Sequence, residues 1–158
     1  MMMKMRSLGG GLTTTAAPFG ILSFEFAWGR ERAASILNSW KDENQIEPAR
    51  KQVKVDFLFL ILYPLALALF SALIASSRFN SLETVGLFIS WAVLVAMPLD
   101  AIENVSLLRM LDHGASNGLA RIAAWCAGIK FSLVFAALGY IVFQGIGVLI
   151  PTVRGSLP

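Results

Sequence analysis

The sequence predicts an all-α integral membrane protein: three transmembrane helices, a marginal hydrophobic segment before them, and an amphipathic helix between. Three observations lead there. Hydrophobic residues make up 56% of the 158-residue chain and charged residues 15%, with a mean hydropathy of +0.68. Soluble domains carry about 45–50% apolar residues even with glycine counted. Three runs, 53–77, 85–110 and 119–150, are each long enough to cross the hydrocarbon core as a helix, which takes ~20 residues. Pro48, Gly114 and Pro151 stand where those helices should begin or end. Once the spans are set aside, only the part before residue 53 is long enough to fold outside lipid. A single membrane domain over 1–158 is therefore expected, without a separate soluble enzyme domain.

Residues 1–8 carry Lys4 and Arg6 and give way to glycines and threonines. The compact apolar core and small-residue cleavage site of a secretory signal are missing, so an uncleaved start is expected. Residues 12–28 could just reach across a bilayer, but Thr13, Thr14, Thr15, Pro18, Gly20 and Glu25 make them a poor span. A re-entrant or interfacial segment is the expectation, with a fourth, first-in-order span as the alternative. In 31–44, Ala33, Ile36, Leu37 and Trp40 recur at i, i+3, i+4 and i+7, while Arg32, Ser39, Lys41 and Asp42 occupy other faces. That is an amphipathic helix, to be laid on the headgroup layer or packed as a lid on the bundle.

The span 53–77 contains Phe57–Ile74, eighteen residues without a charge. Asp56 and Tyr63 are seven apart and return to nearly the same face, and Pro64 weakens the backbone beside them. In 85–110, Asp100, Glu103 and Asn104 stand at i, i+3 and i+4, so a helix projects all three from one face. Pro98 leaves the Leu94 carbonyl without its usual donor and favours a kink there. In 119–150 a stripe of small residues, Ala120, Ala124, Gly128, Ser132 and Ala136, recurs every four positions and offers a helix-packing seam for another subunit or a second copy. Lys130, two residues from Gly128 and Ser132, points about 200° away from them.

Lys and Arg are divided unevenly between the two sides of the bilayer. Lys4, Arg6, Arg30, Arg32, Lys41, Arg50, Lys51, Lys54, Arg109 and Arg121 fall on one side, Arg78 and Arg154 on the other. The larger group is expected inside, placing residues 30–55 and the 111–120 loop in the cytoplasm and the C-terminus outside. Counted inward from that side at ~1.5 Å per residue, Asp56, Glu103, Asp100 and Lys130 all fall about 10–18 Å deep. A charge stranded near the bilayer centre costs on the order of 2.5–3.5 kcal/mol, so a shared layer is favoured. Lys130 should face Asp100 and Glu103, with Asp56, Tyr63 and Asn104 completing an intramembrane polar network. The acids outnumber that lysine, which calls for a protonated carboxyl or for compensation by Arg109, Arg121, water or a bound cation.

The series Phe24-Glu25-Phe26-Ala27, Ile36-Leu37, Trp40, Asp56-Phe57-Leu58-Phe59, Tyr63, Asp100, Glu103-Asn104 and Lys130-Phe131 resembles a group of small bacterial multi-span inner-membrane proteins with no assigned activity. The resemblance covers most of the chain and implies a bacterial inner-membrane protein without implying a chemistry. It also implies a stronger apolar span before Phe24 than this chain has.

Other chemistries find little support. The basic residues follow no nucleic-acid motif, so the lipid bilayer and other membrane subunits, or a second copy, are the expected partners. Cys126 lies in an apolar run as a packing residue, and a lone cysteine excludes intrachain disulfides. His113, the single histidine, sits by Gly114 in a turn. No phosphate-binding loop, zinc spacing, nucleophile elbow or dinucleotide fingerprint occurs. No metal site, catalytic residue or cofactor is expected, although carboxylate and amide oxygens at Asp100, Glu103 and Asn104 would suit a hard cation. Three function classes remain. An accessory or structural subunit of a larger membrane complex comes first. A proton- or ion-coupled transporter using the carboxylate/Lys layer is the alternative, and an intramembrane enzyme comes third.

Overall fold

The computed structural model describes residues 12–76 and 83–149, with side chains as far as Gln144. The described part is an all-α membrane protein. Its helices are α1 (Ile21–Glu25), α2 (Arg30–Asp42), α3 (Ile46–Ser76), α4 (Glu83–Val93), α5 (Ala96–His113) and α6 (Asn117–Leu149). Three stretches are long and apolar enough to cross a membrane: α3, α4 continued by α5 over Glu83–His113, and α6 over Asn117–Gln144. Their outward faces carry Leu58, Phe88, Trp91, Phe135 and Phe143, a surface suited to hydrocarbon and not to water. Residues 1–11, 77–82 and 150–158, among them Lys4, Arg6, Arg78, Pro151 and Arg154, lie outside the described residues.

Residues 12–28 do not form a continuous helix. Thr14 and Ala17 exchange backbone hydrogen bonds, Gly20 (φ 58°) opens the five-residue α1, and Trp28 takes a second left-handed conformation (φ 58°). This segment folds back over α2. The Trp40 indole donates to the Leu12 carbonyl at 2.9 Å, Thr14 and Ser39 hydroxyls meet at 2.8 Å, and Phe24 packs edge-to-face on Trp40 at 5.2 Å.

The apolar stripe of α2 is spent on the protein itself. Ala33, Ile36, Leu37 and Trp40 are all buried, in one cluster with Leu12, Phe24, Val53, Leu107, Met110 and Ala123. Of the two dispositions the sequence allowed, the lid holds and the headgroup-facing one does not. Trp40, fully buried, anchors the cap in a cluster with residues of α3, α5 and α6.

The middle span is broken. α4 ends at Val93 and α5 begins at Ala96, so the bend falls just ahead of Pro98. The Leu94 carbonyl, which Pro98 cannot serve, accepts the Met97 N–H at 3.2 Å in a tightened turn. Gly114 (φ 91°) closes α5, its N–H donating to the Met110 carbonyl at 2.9 Å. Arg50 near the start of α3 pairs with Glu47 at 3.2 Å and with Asp112 near the end of α5, tying those two helix ends together. At the far end, packing is thinner. Ala68, Val93 and Ala137 make a small second cluster. Gly86 of α4 lies against the Tyr140 hydroxyl and Ala75 there, a close approach that only a residue without Cβ permits.

Candidate intramembrane ionic site

Between the cap and the bend in the middle span, α3, α5 and α6 bring the polar residues of the spans together. The Lys130 ammonium donates to Asp100 Oδ1 at 2.8 Å and stands 2.9 Å from Glu103 Oε2. On its other oxygen Asp100 accepts the Tyr63 hydroxyl at 2.9 Å. Asn104 Nδ2 donates to Asp56 Oδ2 at 3.0 Å. The six residues named from spacing thus form two linked groups, Lys130–Asp100–Glu103–Tyr63 and Asn104–Asp56, joined through adjacent positions on α5. Asp100, Glu103 and Asn104 share a face because they are three and four apart on one helix. Pro64 follows Tyr63 directly, where the Leu60 carbonyl is left without its helical donor. Lys130 lies 5.1 Å from the Phe131 ring centroid, which adds an aromatic neighbour to its carboxylates.

A further carboxylate comes from outside the spans. Glu25, the last residue of α1, is only 8% exposed and reaches into this layer. It is held there by aromatic pairs made by the residues that follow it along the chain. Phe26 stacks on Phe131 at 6.0 Å, and Trp28 meets Trp125 at 5.4 Å, both partners on α6. The Glu25 and Glu103 carboxyls are in contact, while Glu25 Oε2 and Glu103 Oε1 accept no hydrogen bond. Burial pushes the Glu25 carboxyl above the ordinary carboxylate range. Lys130 pulls it back in part, and the charges of Asp56 and Asp100 raise it again. From the residues Glu25 had counted as a defect in a poor span, and it entered otherwise only in the series that carries the resemblance. The available signal was its setting, a lone acid between Phe24 and Phe26.

Arg109 and Arg121 are exposed, so the ion pairs of the layer are made by Lys130. His113 is exposed in its turn, with Nδ1 3.3 Å from the Arg109 carbonyl. Cys126 is buried and in no disulfide. Among the described residues no three Cys, His, Asp or Glu side chains are arranged to hold a metal ion.

The small-residue stripe of α6 does not keep to one face. Ala120 and Ala124 are fully buried in the protein, Gly128 is half-buried, and Ser132 and Ala136 are exposed. A step of four residues overshoots a full helical turn by about 40°, so four steps from Ala120 to Ala136 swing the row by roughly 160°. One end of the expected seam is therefore internal, and only Gly128, Ser132 and Ala136 remain open to a neighbour. Nothing lies within 4 Å of a Cβ built on Gly128.

Fold and site together define an all-α membrane protein with a buried ionic cluster inside its spans. Compared with protein-family models, curated proteins and solved structures, the chain matches none.

Proposed function

We propose that the chain is a small ion-coupled membrane protein whose intramembrane carboxylates take up and return protons from the capped side of the bilayer. The observation that carries this reading is an imbalance of charge: Glu25, Asp56, Asp100 and Glu103 gather around one lysine, Lys130. Ionised carboxylates in a low-dielectric layer repel one another and lose their hydration, so the cluster is stable only when it holds extra positive charge. Protons are the simplest supply. A buried acid cluster that binds protons to stay neutral supports the reading of a proton-coupled carrier. The excess of Lys and Arg on the capped side supports a cytoplasmic placement for it, and the resemblance to small bacterial multi-span proteins supports the bacterial inner membrane. The cap, with Glu25 on its inner face, then stands between the cytoplasm and the cluster. The reading needs no cofactor and no nucleic acid.

The test is proton movement in vesicles holding the purified chain and a pH-sensitive dye. Wild-type vesicles are expected to collapse an imposed pH gradient faster than protein-free ones, and Glu103→Gln to remove the difference. Equal leak in all three preparations would overturn the reading.

A second reading, an accessory subunit of a larger complex, is supported by the open end of the α6 stripe. Gly128 leaves room for another helix to approach closely. Native mass in mild detergent tests it, since Gly128→Leu should weaken assembly and leave the monomer intact. Unchanged assembly removes that support.

A further inference from the structure

On the outer face of α5, turned roughly 180° from Asp100, Glu103 and Asn104 on the same helix, a groove of about 350 Å³ runs between α5 and α6. We propose that it seats one anionic phospholipid, with the headgroup phosphate on Arg109 and an acyl chain in the apolar length below. The site is independent of the proton reading above.

Its wall on α5 is Ile102, Val105, Ser106 and Arg109, which stand at i, i+3, i+4 and i+7 and so form one line along the helix. Leu119 and Ile122 make the wall on α6. Ile102, Val105 and Ile122 are 49%, 42% and 45% exposed, so the groove opens toward hydrocarbon and not into the protein. Ser106 is buried at its floor, and its hydroxyl already donates to the Ile102 carbonyl at 2.8 Å. The floor is thus apolar in effect. Counted from His113 at the capped end of α5 at ~1.5 Å per residue, Arg109 lies about 6 Å in and Ala101, the deepest lining residue, about 18 Å. The groove therefore carries its charge near the headgroups and stays apolar for about 12 Å below. That is the polarity of a phospholipid, followed from phosphate to chain.

Arg109 selects the headgroup. Its side chain is exposed and makes no ion pair among the described residues, since Asp112, one turn further on, is taken by Arg50. Arg121 of α6 is as far beyond Ala115 in the turn as Arg109 is before it, so the hairpin brings a second exposed, unpaired guanidinium to the same level. The guanidinium fork matches phosphate oxygens, and basic sites between membrane helices take anionic headgroups. A zwitterionic lipid brings its own cation to that level and gains less. A second copy of the chain fits poorly, because a two-fold contact through this groove sets Arg109 against Arg109.

The experiment titrates the detergent-solubilised full chain with phosphatidylglycerol, phosphatidylcholine and glycerol 3-phosphate, following thermal unfolding and native mass. Saturating phosphatidylglycerol is expected to raise Tm by about 5 °C and to remain as one bound lipid in the native spectrum. Phosphatidylcholine should bind several-fold more weakly, and glycerol 3-phosphate should leave Tm unchanged. Arg109→Gln should erase the preference between the two lipids and Arg109→Lys should keep part of it. Lys41→Gln, an equal loss of charge on the exposed side of α2, should keep all of it. Val105→Trp fills the groove from an exposed position and should remove the bound lipid whatever its headgroup. Equal affinity for the two lipids, a preference that survives Arg109→Gln, or lipid retained in Val105→Trp overturns the site. So does a Tm rise with glycerol 3-phosphate that matches phosphatidylglycerol, which would mark a site for soluble phosphate, or a lipid-free dimer that Val105→Trp dissociates, which would give the groove to a second copy.

Discussion

Lys130 of α6 and Asp100 of α5 form a buried ion pair 2.8 Å long, with side chains 8% and 1% exposed. Removing one partner of such a pair leaves the other charge without compensation, a loss of about 3–5 kcal/mol. Lys130→Met is therefore expected to lower stability by that order, and Asp100→Asn in the same chain to restore part of it. A double-mutant cycle in detergent unfolding measures the coupling. Additive losses would show that the two charges are compensated separately.

Stability should fall with rising pH on account of Glu25. Its carboxyl is raised by burial, so across the window from the ordinary value of about 4.3 up to the folded-state value the native protein holds the proton more firmly than the unfolded chain. The native state then binds more protons than the unfolded one, and the slope of stability against pH is negative. Below that window the contribution is constant. Glu25→Gln, neutral at every pH, should flatten this part of the profile, as followed by Tm in a pH series. An unchanged slope would assign the titration to other members of the cluster.

Trp40 fills the middle of the cap and donates to Leu12. Trp40→Ala leaves a cavity and an unserved carbonyl, a loss on the order of 3–5 kcal/mol. Limited proteolysis should then cut within residues 12–28 well before the spans are affected. If that segment stays protected, the cap is held mainly by the Phe26–Phe131 and Trp28–Trp125 pairs.

Gly86→Ala should destabilise the far end of the bundle by about 1–3 kcal/mol, the usual range for overpacking. The new methyl would meet Ala75 Cβ at 2.8 Å as well as the Tyr140 hydroxyl. Pairing it with Tyr140→Phe should recover part of the loss in thermal unfolding. Failure to recover would lay the clash on the Tyr140 ring carbon and on Ala75, both of which Tyr140→Phe leaves in place.

The spans and the face shared by Asp100, Glu103 and Asn104 were legible because helical period and bilayer length are written directly into residue spacing. Lys130 and Asp56 were legible by depth, since each helix advances at a fixed rise. Glu25 was not. Its position depends on left-handed turns at Gly20 and Trp28 and on aromatic pairs with α6, and no periodicity encodes either. The stripe on α6 misled for a related reason. Spacing by four reads as one face over two steps, yet the angular drift accumulates over sixteen residues until Ala136 faces away from Ala120. The lid was one of two readings of the same amphipathic pattern, and an apolar face does not say whether lipid or protein will cover it.

The cap joins residues made well apart in time. Leu12 and Phe24 pack in one cluster with Leu107, Ala120 and Ala123, so these earlier residues have no finished binding surface until α6 has begun to enter the bilayer. A ribosome adding about 5–20 residues per second leaves residues 12–42 waiting for several seconds at the membrane surface while α3 and the middle span insert. During that interval the stripe of Ala33, Ile36, Leu37 and Trp40 has only headgroups or a chaperone to cover it. A segment translated before the spans is thus the one that closes after them, and the carboxylates of α3, α5 and α6 are covered by the cap only when it does.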